Sequence, residues 1–234
     1  MTFAKQTVLV TGAAGNLGQA VAEAFFERGA SLVLLGRRRE ELTKVYGSAN
    51  ARRLLAPADV LDQAEVEAAV ASAIERFERI DVLCNIAGGF RMGAPVYETT
   101  DEMWQAMLDV NARSVITMAR AVVPRMLAAG SGKIVNVAAM AALKGGAGMG
   151  AYAASKSATI RVTETMAAEL RDKGINVNCV MPSIIDTPQN RAAMPDADPR
   201  RWVAPAALAE VILFLASDAA RAIHGAAIPV VGLS

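Results

Sequence analysis

Tyr152 and Lys156 stand four residues apart in AYAASKSATIRVTETMAAEL, a segment of helical character. At that spacing their side chains share one face. A phenol with an ordinary pKa near 10 is a poor acid–base group at neutral pH. A cation about 4 Å away, at an effective dielectric of about 20, favours the phenolate by about 4 kcal/mol, or roughly three pKa units, before desolvation opposes it. The pair therefore reads as proton-transfer machinery, with the lysine bringing the tyrosine into working range. A plain surface pair would have the same spacing, so the surroundings decide between the two.

A second chemical signal lies near the start. Residues 11–18, TGAAGNLG, follow the apolar run TVLV and open an amphipathic helix. Glycines such as Gly12, Gly15 and Gly18 let a backbone approach a pyrophosphate. The helix N-terminus, entered through Asn16 and Leu17, supplies free N–H groups and positive potential. An ordinary strand–helix turn is the competing reading. The end of the second apolar run then selects the cofactor. An NAD site usually carries an acidic side chain there, for the ribose 2′-hydroxyl. This chain has Gly36, Arg37, Arg38 and Arg39 and no carboxylate. An arginine fork suits a 2′-phosphate, so NADP(H) is favoured over NAD(H). A solvated basic helix start also accounts for Arg38 and Arg39.

These groups need a scaffold, and the chain alternates two patterns that supply one. Short β-branched or leucine-rich runs begin near Thr7, Ser31, Arg53, Ile80, Lys133, Ile175 and Ala227. Between them, apolar residues recur at three and four, as in Leu17, Ala20, Val21, Ala24 and Phe25, or Val66, Ala69, Val70, Ala73, Ile74 and Phe77. Gly29, Gly130 and Gly174 follow helices as C-terminal caps do. The pattern predicts a single α/β domain over residues 1–234, a Rossmann-like doubly wound parallel sheet of about seven strands with helices on both faces. The least regular stretch, 183–204, holds Pro188, Pro195 and Pro199. It is expected to cross the carboxyl edge of the sheet as a substrate lid.

Composition narrows the function. Of 234 residues, 53% are hydrophobic and 20% charged, which excludes disordered, collagenous and disulfide-scaffold classes. Lys and Arg total 24 against 23 acidic residues, giving no reason to expect nucleic acid or an anionic membrane as partner. Mean hydropathy is +0.31. Yet the longest apolar run, 137–143, is far short of the roughly 20 residues of a membrane span. The N-terminus reads as strand and turn at once, not as a signal peptide. Cys84 and Cys179 lie far apart without a CxxC pattern, which fits two buried thiols in a reducing cytoplasm. His224 is the only histidine, so no metal site is expected and its role is read as structural.

Several motifs in order then point to one family. The glycine turn, Asp59 after the third strand, the turn Asn85-Ile86-Ala87-Gly88, Asn111 in a long helix, Tyr152-Ala153-Ala154-Ser155-Lys156, and residues 182–187 all match. The chain resembles the classical short-chain dehydrogenases/reductases over nearly its whole length. The resemblance implies that Asp59, with Val60 beside it, contacts adenine, and that Asn85, Ala87 and Gly88 flank the cofactor. It implies that Pro182, Ile185 and Thr187 border the nicotinamide, with Thr187 holding its carboxamide. Tyr152 becomes the proton donor, Lys156 also binds the nicotinamide ribose, and Asn111 supports a proton-relay water. Members often form dimers or tetramers on the long helices around Asn111 and Tyr152. A homodimer or homotetramer is expected here, with Ala158, Val162, Met166 and Ala167 as a small apolar face.

Two departures stand out. The family pattern places a glycine at position 16, where this chain has Asn16 and a glycine at 15 instead. The family's substrate-binding serine falls on Ala139, and residues 138–150 contain no serine or threonine. Loss of such a hydrogen-bond donor typically costs about 10² to 10³ in rate. The dihydropteridine reductases, members of the family, also lack this serine and act on an activated acceptor. The segment AALKGGAGMGAY, the lid motifs and Gly88-Gly89-Phe90 are similar to theirs, although those enzymes prefer NADH and carry an acidic residue after the second strand. Phe90, Met194 and Trp202 could line a flat apolar substrate pocket, or pack the lid on the body. Arg191 could pair with a substrate anion or lie on a helix surface. Asp101 and Glu102 read as a helix start, packed by Met103 and Trp104. The leading reading is an NADPH-dependent reductase of a small carbonyl or activated conjugated acceptor. A dihydropteridine-reductase-like activity and a nucleotide-binding pseudoenzyme or redox sensor are the alternatives.

Overall fold

The computed structural model describes residues 1–234. Its seven strands are β1 (Thr7–Thr11), β2 (Ser31–Gly36), β3 (Arg53–Pro57), β4 (Val82–Asn85), β5 (Gly132–Val137), β6 (Ile175–Pro182) and β7 (Ala227–Val230). All pair in parallel, in the order β3-β2-β1-β4-β5-β6-β7. The eight helices are α1 (Asn16–Glu27), α2 (Arg39–Tyr46), α3 (Gln63–Phe77), α4 (Asp101–Leu108), α5 (Ser114–Ala129), α6 (Gly150–Leu170), α7 (Pro188–Ala193) and α8 (Pro205–Ala216). No helix is long and apolar enough to cross a membrane.

The period-two alternation in the strands feeds two cores. Val8, Val10, Leu32 and Leu34 face α1 and α8, meeting Val21, Phe25, Leu208 and Ile212. Leu9, Val33, Leu35, Leu83 and Ile134 face the other way, toward α3, α5 and α6. Every residue of β1 and β6 is buried, as a sheet covered on both faces requires. Helix ends follow local chemistry. Asp62 caps α3 by accepting from Ala64 N and Glu65 N, and Thr100 caps α4 by accepting from Met103 N. Gly130 and Gly174 end their helical segments in the left-handed conformation.

The strand order reverses between β1 and β4, so their connections leave in opposite directions and open a crevice at the carboxyl ends. Between α4 and α5 the helix widens into one π turn, Asp109–Arg113, which carries Asn111. Two packing expectations change. Trp104 is 43% exposed rather than packed under α4; Met107 is the residue buried there. Met166 and Ala167 belong to the core of this chain, so they cannot form an outward apolar face on α6. Only Ala158 and Val162 of that expected face remain half-exposed.

Candidate active site

A cavity of about 1220 Å³ occupies the crevice. Its central wall is the turn between β1 and α1, through Gly12, Gly15, Asn16, Leu17 and Gly18. Gly12 has φ +62°, and a Cβ there would meet Ala87 N and Cα at 3.0 Å. A Cβ on Gly18 would stand 2.2 Å from Gly12 O. Both positions need glycine for close backbone approach, whereas Gly15 meets nothing nearer than 3.3 Å. Thr11 ties the turn to the next one: its Oγ1 accepts from Ile86 N and Ala87 N, each at 3.0 Å. The cradle fits the pyrophosphate of a dinucleotide.

Arg37, Glu41, Lys44, Asp59 and Val60 line one end of the cavity. The expected arginine fork narrows to Arg37, because Arg38 is ion-paired with Glu41 and Arg39 opens α2. Arg37 and Lys44 make no ion pair. The end of β2, Gly36 followed by Arg37, Arg38 and Arg39, carries no carboxylate. Glu41 supplies one from the first turn of α2, a register only the folded helix reveals. Asp59 Oδ1 accepts from Leu61 N at 2.9 Å, which fixes its carboxylate in the turn.

Ala87, Gly88, Gly89, Phe90 and Arg91 line the opposite end. A Cβ on Gly88 would stand 3.0 Å from Asn111 Oδ1 and 3.2 Å from Lys156 Nζ, so both groups pack against this glycine; Gly88 lines the cavity, while Asn85, Asn111, Tyr152 and Lys156 do not. Phe90 meets the ring of Tyr152 edge-on, with centroids 4.8 Å apart. Asn111 is held on all sides. Its Oδ1 accepts from Gly89 N, and its Nδ2 donates to Gly89 O and to Ser155 Oγ, all at 3.0 Å. Its carbonyl accepts from Thr159 Oγ1 at 3.0 Å. A buried ladder extends beneath it. Thr163 Oγ1 donates to Thr159 O, Asn136 Nδ2 donates to Thr163 Oγ1, and Asn85 Nδ2 donates to Asn136 Oδ1. Ser155 is expected only as part of the Tyr152–Lys156 motif, and Thr159, Thr163 and Asn136 are not expected at the site. Their signal was present as polar residues spaced by four on one helix face, and an asparagine inside an apolar strand.

The expected lysine–tyrosine pairing is not made. Lys156 Nζ donates to Val137 O at 2.8 Å instead. Burial pushes its pKa down to about 8, against a smaller opposing pull from Cys179. Burial alone pushes Tyr152 up to about 12. Desolvation, which the charge arithmetic left as an opposing effect, therefore dominates at both residues.

Ala139 is buried and precedes a short 3-10 turn, Met140–Ala142, which Ser157 Oγ ties to α6 through Ala142 O at 2.7 Å. In the lid, Pro182 pairs with Val230 at the end of β6, and Ile185 bridges Val203. Thr187 lines the cavity and caps α7 by accepting from Asn190 N. Of the four substrate candidates, Phe90 lines the cavity, while Ala139, Met194 and Trp202 do not. Trp202 is 8% exposed, buried at the lid base. Arg191 is engaged within the lid by a bidentate pair with Asp186 at 2.6 and 2.7 Å, which holds that carboxylate below its usual range.

A parallel sheet with a glycine-lined crevice at its switch point, flanked by a tyrosine, a buried lysine and an asparagine, defines a dinucleotide-dependent oxidoreductase. The family model for short chain dehydrogenases matches residues 6–198, and this chain belongs to that family of NAD(P)-dependent enzymes. It is 34% identical over 239 residues to 2-(R)-hydroxypropyl-CoM dehydrogenase of Xanthobacter autotrophicus, covering 95% of this chain and 96% of that one. It is 36% identical over 234 residues to D-threitol dehydrogenase of Mycolicibacterium smegmatis, covering 94% and 89%. The structure of NAD+-bound xylitol dehydrogenase superposes with a TM-score of 0.90 at 30% identity, covering 99% of this chain and all of that one.

Proposed function

We propose that this enzyme is an NADPH-dependent reductase of a small carbonyl or activated conjugated acceptor, working without the usual catalytic serine. The observation that carries the reading is the assembly of Tyr152, Lys156 and Asn111 around Gly88 and Phe90, with Ala139 where the serine would stand. The reduced nicotinamide supplies the hydride when bound. Tyr152, protonated at neutral pH, donates the proton to the reacting oxygen or nitrogen. Lys156, bound to Val137 O in the free protein, is the cation available to the phenolate that is left once it turns from that carbonyl, and Asn111 holds the relay end of the site. Arg37 and Lys44, unpaired at the cavity's far end, support a 2′-phosphate. Glu41 and the NAD+-bound xylitol dehydrogenase support NAD(H) as the competing choice.

With no hydroxyl at Ala139, the substrate must be electrophilic enough to need one donor. The flat aromatic flank at Phe90 favours a planar heterocycle such as a quinonoid dihydropterin as the second reading. The two cysteines support a cytoplasmic setting: both are buried, and burial raises both thiols, Cys179 to about 11. Exposed Trp104 and Ile116 support a homodimer or homotetramer.

Nucleotide consumption on plain ketones, a quinonoid dihydropterin and simple quinones tests the reading, with NADPH and NADH in parallel. NADPH should be preferred and only the activated acceptors reduced. Ala139→Ser should then raise ketone reduction by about tenfold or more. Rapid ketone turnover by the wild type, or no gain from the serine, would contradict it.

A further inference from the structure

Asn16 occupies a place where the family pattern has glycine, and the chemistry above makes no use of its side chain. Its Nδ2 donates to Gln189 Oε1 at 2.8 Å. Asn16 is the first residue of α1 and lines the cavity at the pyrophosphate turn. Gln189 lies in the first turn of α7, two residues past Thr187, which lines the same cavity. The bond therefore ties the cavity-lining turn at Asn16 to α7, the helix that begins one residue past the lining Thr187, across 173 residues of sequence.

The lid base has its own anchorage. Asp186 N donates to Val203 O, Val203 N donates to Ile184 O, and Trp202 is buried beside them. Helix α7 has none of this. Its remaining hydrogen bonds stay within residues 185–194. The amide pair is its single hydrogen-bonded link to the body of the protein.

We propose that Asn16 and Gln189 form a clasp that gates passage of the dinucleotide beneath α7, a role that glycine at position 16 could not fill. The proposal rests on the reading of the cavity as a dinucleotide site. The bond is made between two protein groups and needs no ligand atom, so opening it eases entry and release alike. Binding affinity then changes little while both rates rise. A side chain that merely touched the ligand would alter release and affinity together.

Stopped-flow fluorescence of NADPH and NADH tests this on the wild type, Asn16→Gly, Gln189→Ala and the double variant. Each single variant should speed both association and release about three- to tenfold, the range expected for one neutral hydrogen bond. The dissociation constant of Gln189→Ala, a residue outside the cavity lining, should stay within about twofold, and the double variant should be no faster than either single. Gln189 sits in a solvent-facing turn, so its variant reports even if Asn16→Gly folds poorly. Unchanged rates, multiplicative effects in the double variant, or faster release with weakened affinity would each overturn the clasp. A wild-type chain that binds neither nucleotide would overturn the dinucleotide reading, and the clasp with it.

Discussion

Lys156 and Tyr152 show how burial, more than charge, sets the protonation of the proposed catalytic pair. Burial lowers Lys156 to about 8 from an ordinary 10.5. Between those two values the unfolded chain holds a proton on this lysine that the folded chain does not, so stability rises with pH across that window. Below about 8 the buried ammonium is charged and its full cost is present. The stability difference between the wild type and Lys156→Met in thermal and urea melts should therefore change with pH. The wild type gains about 1–3 kcal/mol on the variant from pH 8 to pH 10.5, and a constant difference would contradict the assignment. Nucleotide binding to the wild type should weaken over the same window as the ammonium discharges. The spacing of Tyr152 and Lys156 was legible in the sequence. That Lys156 turns to Val137 O was not, because a backbone acceptor has no sequence signature.

In the proposed site, the turn between β1 and α1 is the element that carries nucleotide binding. Its glycines are unequal. A Cβ at position 18 would collide with Gly12 O and Ala13 Cα, backbone atoms that cannot rotate away, whereas one at position 15 would meet Gly12 O at 3.3 Å, a contact relieved by a shift of a few tenths of an ångström. Gly18→Ala should cost about 2–4 kcal/mol of stability and weaken nucleotide binding, while Gly15→Ala keeps stability within about 1 kcal/mol. Equal losses in urea melts of the two variants would refute this ranking. Strand starts and the amphipathic faces of α1 and α3 could be read from periodicity, since burial enforces it. The π turn at Asn111 could not, because the apolar pattern runs through it without a break; it is specified instead by Thr159 and Ser155 reaching across from α6. Pi turns of this kind often sit at functional sites, and here the Asn111 carbonyl in the widened turn accepts from Thr159 Oγ1.

At the scale of the molecule, a parallel sheet buried between two cores leaves its carboxyl edge as the place to assemble a site. Residues from β1, β2, β4, the π turn, α6 and the lid converge there from every part of the chain. Family membership and the doubly wound sheet were legible because they rest on motifs in order and on strand–helix alternation. The outward face of α6 was not: Met166 and Ala167 are small or flexible enough to suit a core or an interface, and only the packed fold places them inside. In the proposed function, this whole arrangement serves proton transfer by Tyr152 to a substrate reduced by hydride. Tyr152→Phe removes one hydroxyl and leaves the ring against Phe90, so it tests that claim most directly. Steady-state turnover should fall by about 10² to 10⁴, while the dissociation constant for the nucleotide stays within about twofold. Full turnover in Tyr152→Phe would contradict the account.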